Sequence, residues 1–226
     1  DREMGYLFDA LGLDVHDKPG EDPNCDAVVA SNGGMAHVYL QNRQGRWMDA
    51  AGYQEDVLPV ARAFWDANMT GKYAGDLQNS LAAVLVRNVE QDGWGSVYKV
   101  FLPDGLLHFE EYLFAHPELE TIDAVSRLEH LAEPFSGDLI LLANYREGYY
   151  FGSPMRGTHG GLHPHDSLAV LTIAWVGASE KQVLCLRSVA QDVVTERCRS
   201  EWRELSSLTD LLPILRIMFQ WAKAAE

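Results

Sequence analysis

The chain has 226 residues, 47% hydrophobic and 23% charged, enough apolar material for a real core, which excludes a disordered tail, a collagen-like fibre or a disulfide-stapled miniprotein. Eighteen Lys and Arg against thirty-three Asp and Glu give a net charge of −15, and a surface this acidic repels polyanions, which argues against a nucleic-acid-binding module. No window approaches the ~18 uninterrupted apolar residues of a membrane-spanning helix.

Residues 1–12 place Met4, Leu7, Phe8 and Leu11 at helical spacing. A Pro/Gly/Asp loop covers residues 17–24, and two apolar runs, 26–31 and 35–40, flank Asn32-Gly33-Gly34, the pattern of a strand, a tight turn and a strand. Residues 54–68 carry a helical stripe of Val57, Val60, Ala61, Phe64 and Trp65. Residues 81–86 read as a buried strand, Asp92 to Gly95 as a turn, and residues 97–101 as a further strand. Residues 106–132 are helical in pattern, broken at Pro117, and residues 137–143 have the all-apolar pattern of a fully buried strand. Residues 168–175 predict another buried strand, 183–189 one more, and residues 208–225 a closing helix with Leu211, Leu215, Met218 and Ala222 on one face.

Strands alternating with helices predict an α/β fold with a central, mostly parallel sheet and helices on both faces. No repeat or long linker divides it, so residues 1–226 are expected to form a single α/β domain. Cys25, Cys185 and Cys198 are far apart and odd in number, which excludes a zinc ribbon or a thioredoxin motif and predicts buried thiols in a reduced compartment. No basic segment followed by an apolar stretch is visible at Asp1, which says nothing of a signal peptide if the start has been cut away; the location is left open, with the cytoplasm favoured.

The chemistry concentrates in Gly157-Thr158-His159-Gly160-Gly161-Leu162-His163-Pro164-His165-Asp166-Ser167, where three of the eight histidines fall within seven residues. Glycines on both sides of His159 leave room for a ligand to approach, and the loop lies at a strand end, where open α/β sheets place ligands. Imidazole is the commonest zinc ligand; structural histidines in a Gly/Pro loop are the other reading of this spacing. Arg146 and Arg156 flank the loop, either as bidentate phosphate contacts or as surface arginines. His37 lies on a strand as a core or edge histidine, and Trp65 and Trp221 sit at helical spacing as core residues. Ser153 and Ser167 have no partner base in view, so a serine triad is not supported.

Gly157-Thr158-His159-Gly160, followed by Asp166 and a strand ending in Trp175-Val176-Gly177, resembles the last metal-ligand motif of the alkaline phosphatase superfamily, closest to type I phosphodiesterases and nucleotide pyrophosphatases. Residues 137–143 with Gly148-Tyr149-Tyr150-Phe151 resemble the strand and turn before that motif. Ser207 to Leu215 is similar to the family's closing helix signature, with Ile214 where Thr is usual. The resemblance covers about residues 137–215. It implies an alkaline phosphatase-like fold, a metal-dependent hydrolase of phosphate esters, a divalent metal (zinc, two ions in the complete enzyme) and His159 as one ligand; by their place in the loop His163, His165 and Arg156 are candidate substrate or metal contacts, the two histidines either closing the pocket or facing water. A small phosphorylated substrate is the implied partner, with neither nucleic acid nor membrane. No Asp-x-x-x-His pair sits at a strand end as the family's does, and its nucleophile and Asp-His-Gly motif have no counterpart here. The chain is therefore expected to be the C-terminal portion of a larger catalytic domain, inactive alone, and to pair with the missing N-terminal portion or a second copy. A catalytically silent homologue kept for binding or assembly is the alternative.

Overall fold

The computed structural model describes residues 2–16, 24–152, 161–168, 173–174, 176–201 and 207–224. The chain forms two compact units, residues 1–168 and 169–226.

In the first unit, α1 (Arg2–Leu11) precedes the short strand β1 (Val15–His16), and then β2 (Ala27–Asn32) turns directly into β3 (Met35–Leu40). The turn is tight because Gly33 adopts a left-handed φ of 64°, which a side chain would strain. A π-helical turn, Tyr53–Val57, leads into α2 (Leu58–Thr70), whose Pro59 lies in the first turn, where a missing N–H is harmless. After β4 (Leu81–Val86) come the single turn α3 (Val89–Asp92), the hairpin β5 (Lys99–Leu102) and β6 (Gly105–His108), α4 (Phe109–Ala115) and α5 (Ala124–His130). Strand β7 (Leu139–Ala143) then enters the middle of the sheet, giving the order β1-β2-β3-β7-β4-β5-β6, and the single turn α6 (Pro164–Ser167) follows near the end of this unit.

The fold is α/β, with a seven-stranded mixed sheet. The expectation of a mostly parallel sheet is corrected: among the described residues, only β1–β2 of the six strand pairings is parallel. Two-residue connections, Gly33-Gly34 and Pro103-Asp104, can join only antiparallel neighbours, since a parallel return needs a crossover of about a dozen residues. The apolar run of β7 has a different cause. All five of its residues are buried because the strand is central and covered on both faces. Leu139, Leu141 and Ala143 join one cluster with Phe8 of α1 and Val60 and Phe64 of α2; Ile140 and Leu142 join another with Phe109 of α4 and Leu128 of α5.

The helical reading of residues 106–132 is corrected at its start. Residues 105–108 are β6, because Asp104-Gly105 closes a hairpin with Leu102 paired to Gly105; the helices α4 and α5 follow, separated by the 3-10 turn Pro117–Leu119. Arg87, 1% exposed, donates to the backbone carbonyls of Trp94 (3.0 Å), Glu133 (2.9 Å) and Ser136, so one buried guanidinium ties the α3–β5 connection to the segment leading into β7.

In the second unit α7 (Glu180–Ser200) occupies the stretch read as a strand at 183–189. Ser179 and Gln182 form a capping box that starts a helix there, and the apolar residues 183, 186 and 190 follow helical spacing. The closing helix is α8 (Leu211–Ala224), introduced by a 3-10 turn at Leu208–Asp210. Arg197 on α7 pairs at 2.8 Å with the buried Asp210 carboxylate. Most of the strand expected at 168–175 lies outside the described residues. Of the three thiols only Cys25 is buried; Cys185 is exposed and Cys198 half-buried.

Candidate functional site

The end of β7 sets the site. Past Ala143, the Asn144 backbone N–H bonds the Ser80 carbonyl at 2.8 Å and its side-chain amide bonds the Asn79 carbonyl at 3.0 Å. A 3-10 turn, Tyr145–Glu147, then reverses the chain through Gly148 at φ 82°, leaving Tyr145 and Arg146 at the carboxyl end of the strand. Phe151 bridges to Gly33, its N–H donating to the Gly33 carbonyl at 2.8 Å. Residues 153–160, which include Ser153, Arg156 and His159, lie outside the described residues.

From Gly161 the chain packs back on the sheet. Leu162, 5% exposed, belongs to the cluster on the α4–α5 side, and its carbonyl accepts the Ile122 N–H at 3.0 Å. His163 then caps the short turn α6 (Pro164–Ser167), and its Nδ1 accepts the His165 backbone N–H at 3.2 Å. Pro164 at the first helical position supplies the fixed φ and needs no donor there. An Nδ1 that accepts leaves the His163 proton on Nε2, which faces the Glu120 carboxylate at 3.7 Å.

These elements enclose a cavity of about 630 Å³. Its floor is the sheet edge at Gly34, Ala82 and Leu142; its walls are the 118–121 turn, Tyr145-Arg146 and residues 161–166. His163 and His165 meet there with ring centroids 4.9 Å apart. Tyr145 stacks on His163 at 4.1 Å, and its hydroxyl lies 3.1 Å from His165 Nδ1. Glu118, hydrogen-bonded to His116 at 2.9 Å, has its carboxyl held below the usual range by that bond first, with Arg146 adding to it.

Asp166 is the unusual group. Its Oδ1 accepts from the Tyr150 hydroxyl at 3.3 Å, but its Oδ2 is buried with no hydrogen-bond partner among the described residues. That oxygen lies against the backbones of Gly34 and Gly161, and a Cβ on Gly34 would come within 2.5 Å of it. A buried carboxylate oxygen without a donor is costly, of the order of 1–3 kcal/mol or more, unless a cation or proton meets it.

The structure thus brings two of the sequence-predicted residues, His163 and His165, into one cavity together with Arg146. Among the described residues Ser167 meets no base; its hydroxyl accepts from Arg127 and donates to the Gly161 carbonyl. His37 is half-buried on β3 and lies outside the cavity lining, with burial first and the nearby Arg87 second keeping its imidazole below its usual pKa. Tyr145, Glu120 and Arg127 were not legible as site residues. Tyr145 only follows an apolar run, and Glu120 and Arg127 sit in a helical pattern more than thirty residues upstream of the loop they meet. Among the described residues no group of three or more His, Cys, Asp or Glu is arranged to hold a metal ion, and no helix is long and apolar enough to cross a membrane. Comparison with protein-family models, with curated proteins and with solved structures finds no match.

Proposed function

We propose that the chain belongs to a metal-dependent hydrolase of phosphate esters, of phosphodiesterase or phosphatase type, and supplies its C-terminal part with one metal ligand, His159. The observation that carries the reading is the buried Asp166 Oδ2, without a donor among the described residues, in a cavity at the end of the central strand beside two imidazoles and Arg146. An oxygen in that state calls for a cation, and an anionic substrate enters a cavity also lined by Glu118 and Glu120 most readily when a metal offsets their charge. The Gly157–Gly160 run carrying His159 leads directly into Gly161, which lines the cavity. In such a hydrolase two metal ions hold the attacking and departing oxygens; a divalent metal, zinc, is the proposed cofactor and a small phosphorylated molecule the proposed substrate. The second reading, a silent homologue serving binding or assembly, is favoured by the lack of a three-donor group among the described residues.

Zinc calorimetry on the 226-residue chain separates the two. The hydrolase reading expects weak binding, because strong sites take three or four protein ligands, with His159→Ala abolishing it and Asp166→Asn lowering affinity ~10-fold or more. Equal zinc affinity in all three proteins, or no binding by the wild type, overturns the hydrolase reading; the latter result favours the silent homologue.

A further inference from the structure

We infer that Arg127 is the positioning residue of this site: it clamps both ends of the 161–168 turn and thereby sets the orientation and tautomers of His163 and His165. Its importance to function rests on the hydrolase reading above; its action on the two imidazoles does not.

The geometry is specific. Arg127 leaves α5 half-buried and spreads its guanidinium across the base of the turn. One terminal nitrogen donates to the Gly161 carbonyl at 2.9 Å, before the histidines; the other donates to the Ser167 hydroxyl at 2.7 Å, after them, and to the Ile122 carbonyl at 3.3 Å. Ser167 in turn donates to the Gly161 carbonyl at 3.1 Å, closing the loop on itself. A planar fork can span two acceptors at fixed separation in a way that a lysine ammonium cannot. The turn has only four helical residues; Leu162 anchors its start in the core, and this fork ties its two ends to each other.

What the clamp holds is the donor–acceptor pattern of the cavity. With Gly161 and Ser167 fixed, the His165 N–H points at His163 Nδ1, which leaves the His163 proton on Nε2 facing Glu120. His165 is placed with Nδ1 at the Tyr145 hydroxyl, 3.1 Å away. A tyrosine hydroxyl donating there leaves the His165 proton on Nε2 as well. Asp166 is carried by the same turn, and its negative charge acts on Arg127, as does that of Asp123. Of the three groups that accept Arg127's hydrogen bonds, only the Gly161 carbonyl belongs to a residue lining the cavity. It acts through the turn.

The test is long-range proton–nitrogen NMR of the imidazoles in the ¹⁵N-histidine-labelled 226-residue chain, on the wild type, Arg127→Leu and Arg127→Lys, with His37 on β3 as an internal control for the fold. The wild type is expected to show the Nε2–H tautomer at His163 and His165. In Arg127→Leu both move to the averaged tautomer signature of solvent-exposed histidine while His37 is unchanged, and zinc affinity falls by ~10-fold or more. Arg127→Lys, which keeps the charge and one acceptor, shifts the same two histidines in the same direction by less. If Arg127→Leu unfolds and His37 also moves, Arg127→Lys decides alone. Unchanged His163 and His165 signatures in a folded variant overturn the inference. A wild type that binds no zinc but whose two signatures respond to Arg127 upholds the clamp and removes the hydrolase reading.

Discussion

Replacing Gly34 by Ala perturbs the floor of the cavity at one methyl group. Gly34 is outside the left-handed region that excludes side chains, so its backbone accepts alanine and the whole effect comes from steric crowding. The new Cβ would stand 2.5 Å from Asp166 Oδ2 and 2.7 Å from the Cα of Gly161. The carboxylate can rotate away, but the Gly161 backbone must retreat by roughly 0.8 Å to reach the ~3.5 Å of normal carbon–carbon packing. Gly34 itself cannot yield, because its carbonyl holds the Ala143 N–H at 3.0 Å and the neighbouring Gly33 carbonyl holds the Phe151 N–H. Overpacking of this kind costs about 1–3 kcal/mol. For a chain of this size each kcal/mol moves Tm by ~2–4 °C, so a fall of ~2–12 °C is expected by circular dichroism. The imidazole signatures of His163 and His165 should shift with it, since both follow Gly161 in the displaced turn. Adding Asp166→Ala should recover only part of the loss, because the clash with the Gly161 backbone persists. A Tm within ~1 °C of the wild type, with unchanged histidine signatures, would refute the claim that the Gly33-Gly34 turn and the 161–166 turn are packed against each other.

Leu141→Ala, at a fully buried position in the middle of β7, should cost about 2–5 kcal/mol in urea unfolding, whereas Leu106→Ala on the exposed edge strand β6 should stay within ~0.5 kcal/mol; comparable losses would contradict the central placement of β7. Asp138, whose Oδ2 accepts the Leu40 N–H at 2.8 Å, has its pKa pushed up to about 6, by burial first. The folded chain therefore holds this proton more tightly than the unfolded one. That contribution is complete below about pH 3.8 and is lost as pH rises through about 6, a change of roughly 3 kcal/mol. Asp138→Asn should flatten the stability profile between pH 4 and 7 and stabilise the chain at pH 7.5; a profile as steep as the wild type's would show that another group titrates there.

Local pattern alone placed most elements. The Met4-Leu7-Phe8 spacing gave α1, the stripe from Val57 to Trp65 gave α2 though not the π-helical form of its first turn, and the Asn32-Gly33-Gly34 turn gave the β2–β3 hairpin. These are legible because each depends on interactions a few residues apart. The α/β class was readable for the same reason. Strand direction was not. An all-apolar run such as Leu139 to Ala143 reports burial on both faces, which a central antiparallel strand shares with a parallel one. The misreading of residues 183–189 has a similar cause, since Val183, Leu184 and Leu186 fit either period and only the Ser179–Gln182 cap decides for helix. The histidine cluster was visible as composition, but its neighbours were not. Glu120 and Arg127 reach His163, Gly161 and Ser167 across 34 to 43 residues of chain, and the sheet brings Gly34 against Asp166 across more than a hundred. Sequence supplied the residue types with the capacity for chemistry. Only the tertiary structure decided which of them meet, because a side chain's partners are set by strand order and packing rather than by spacing along the chain.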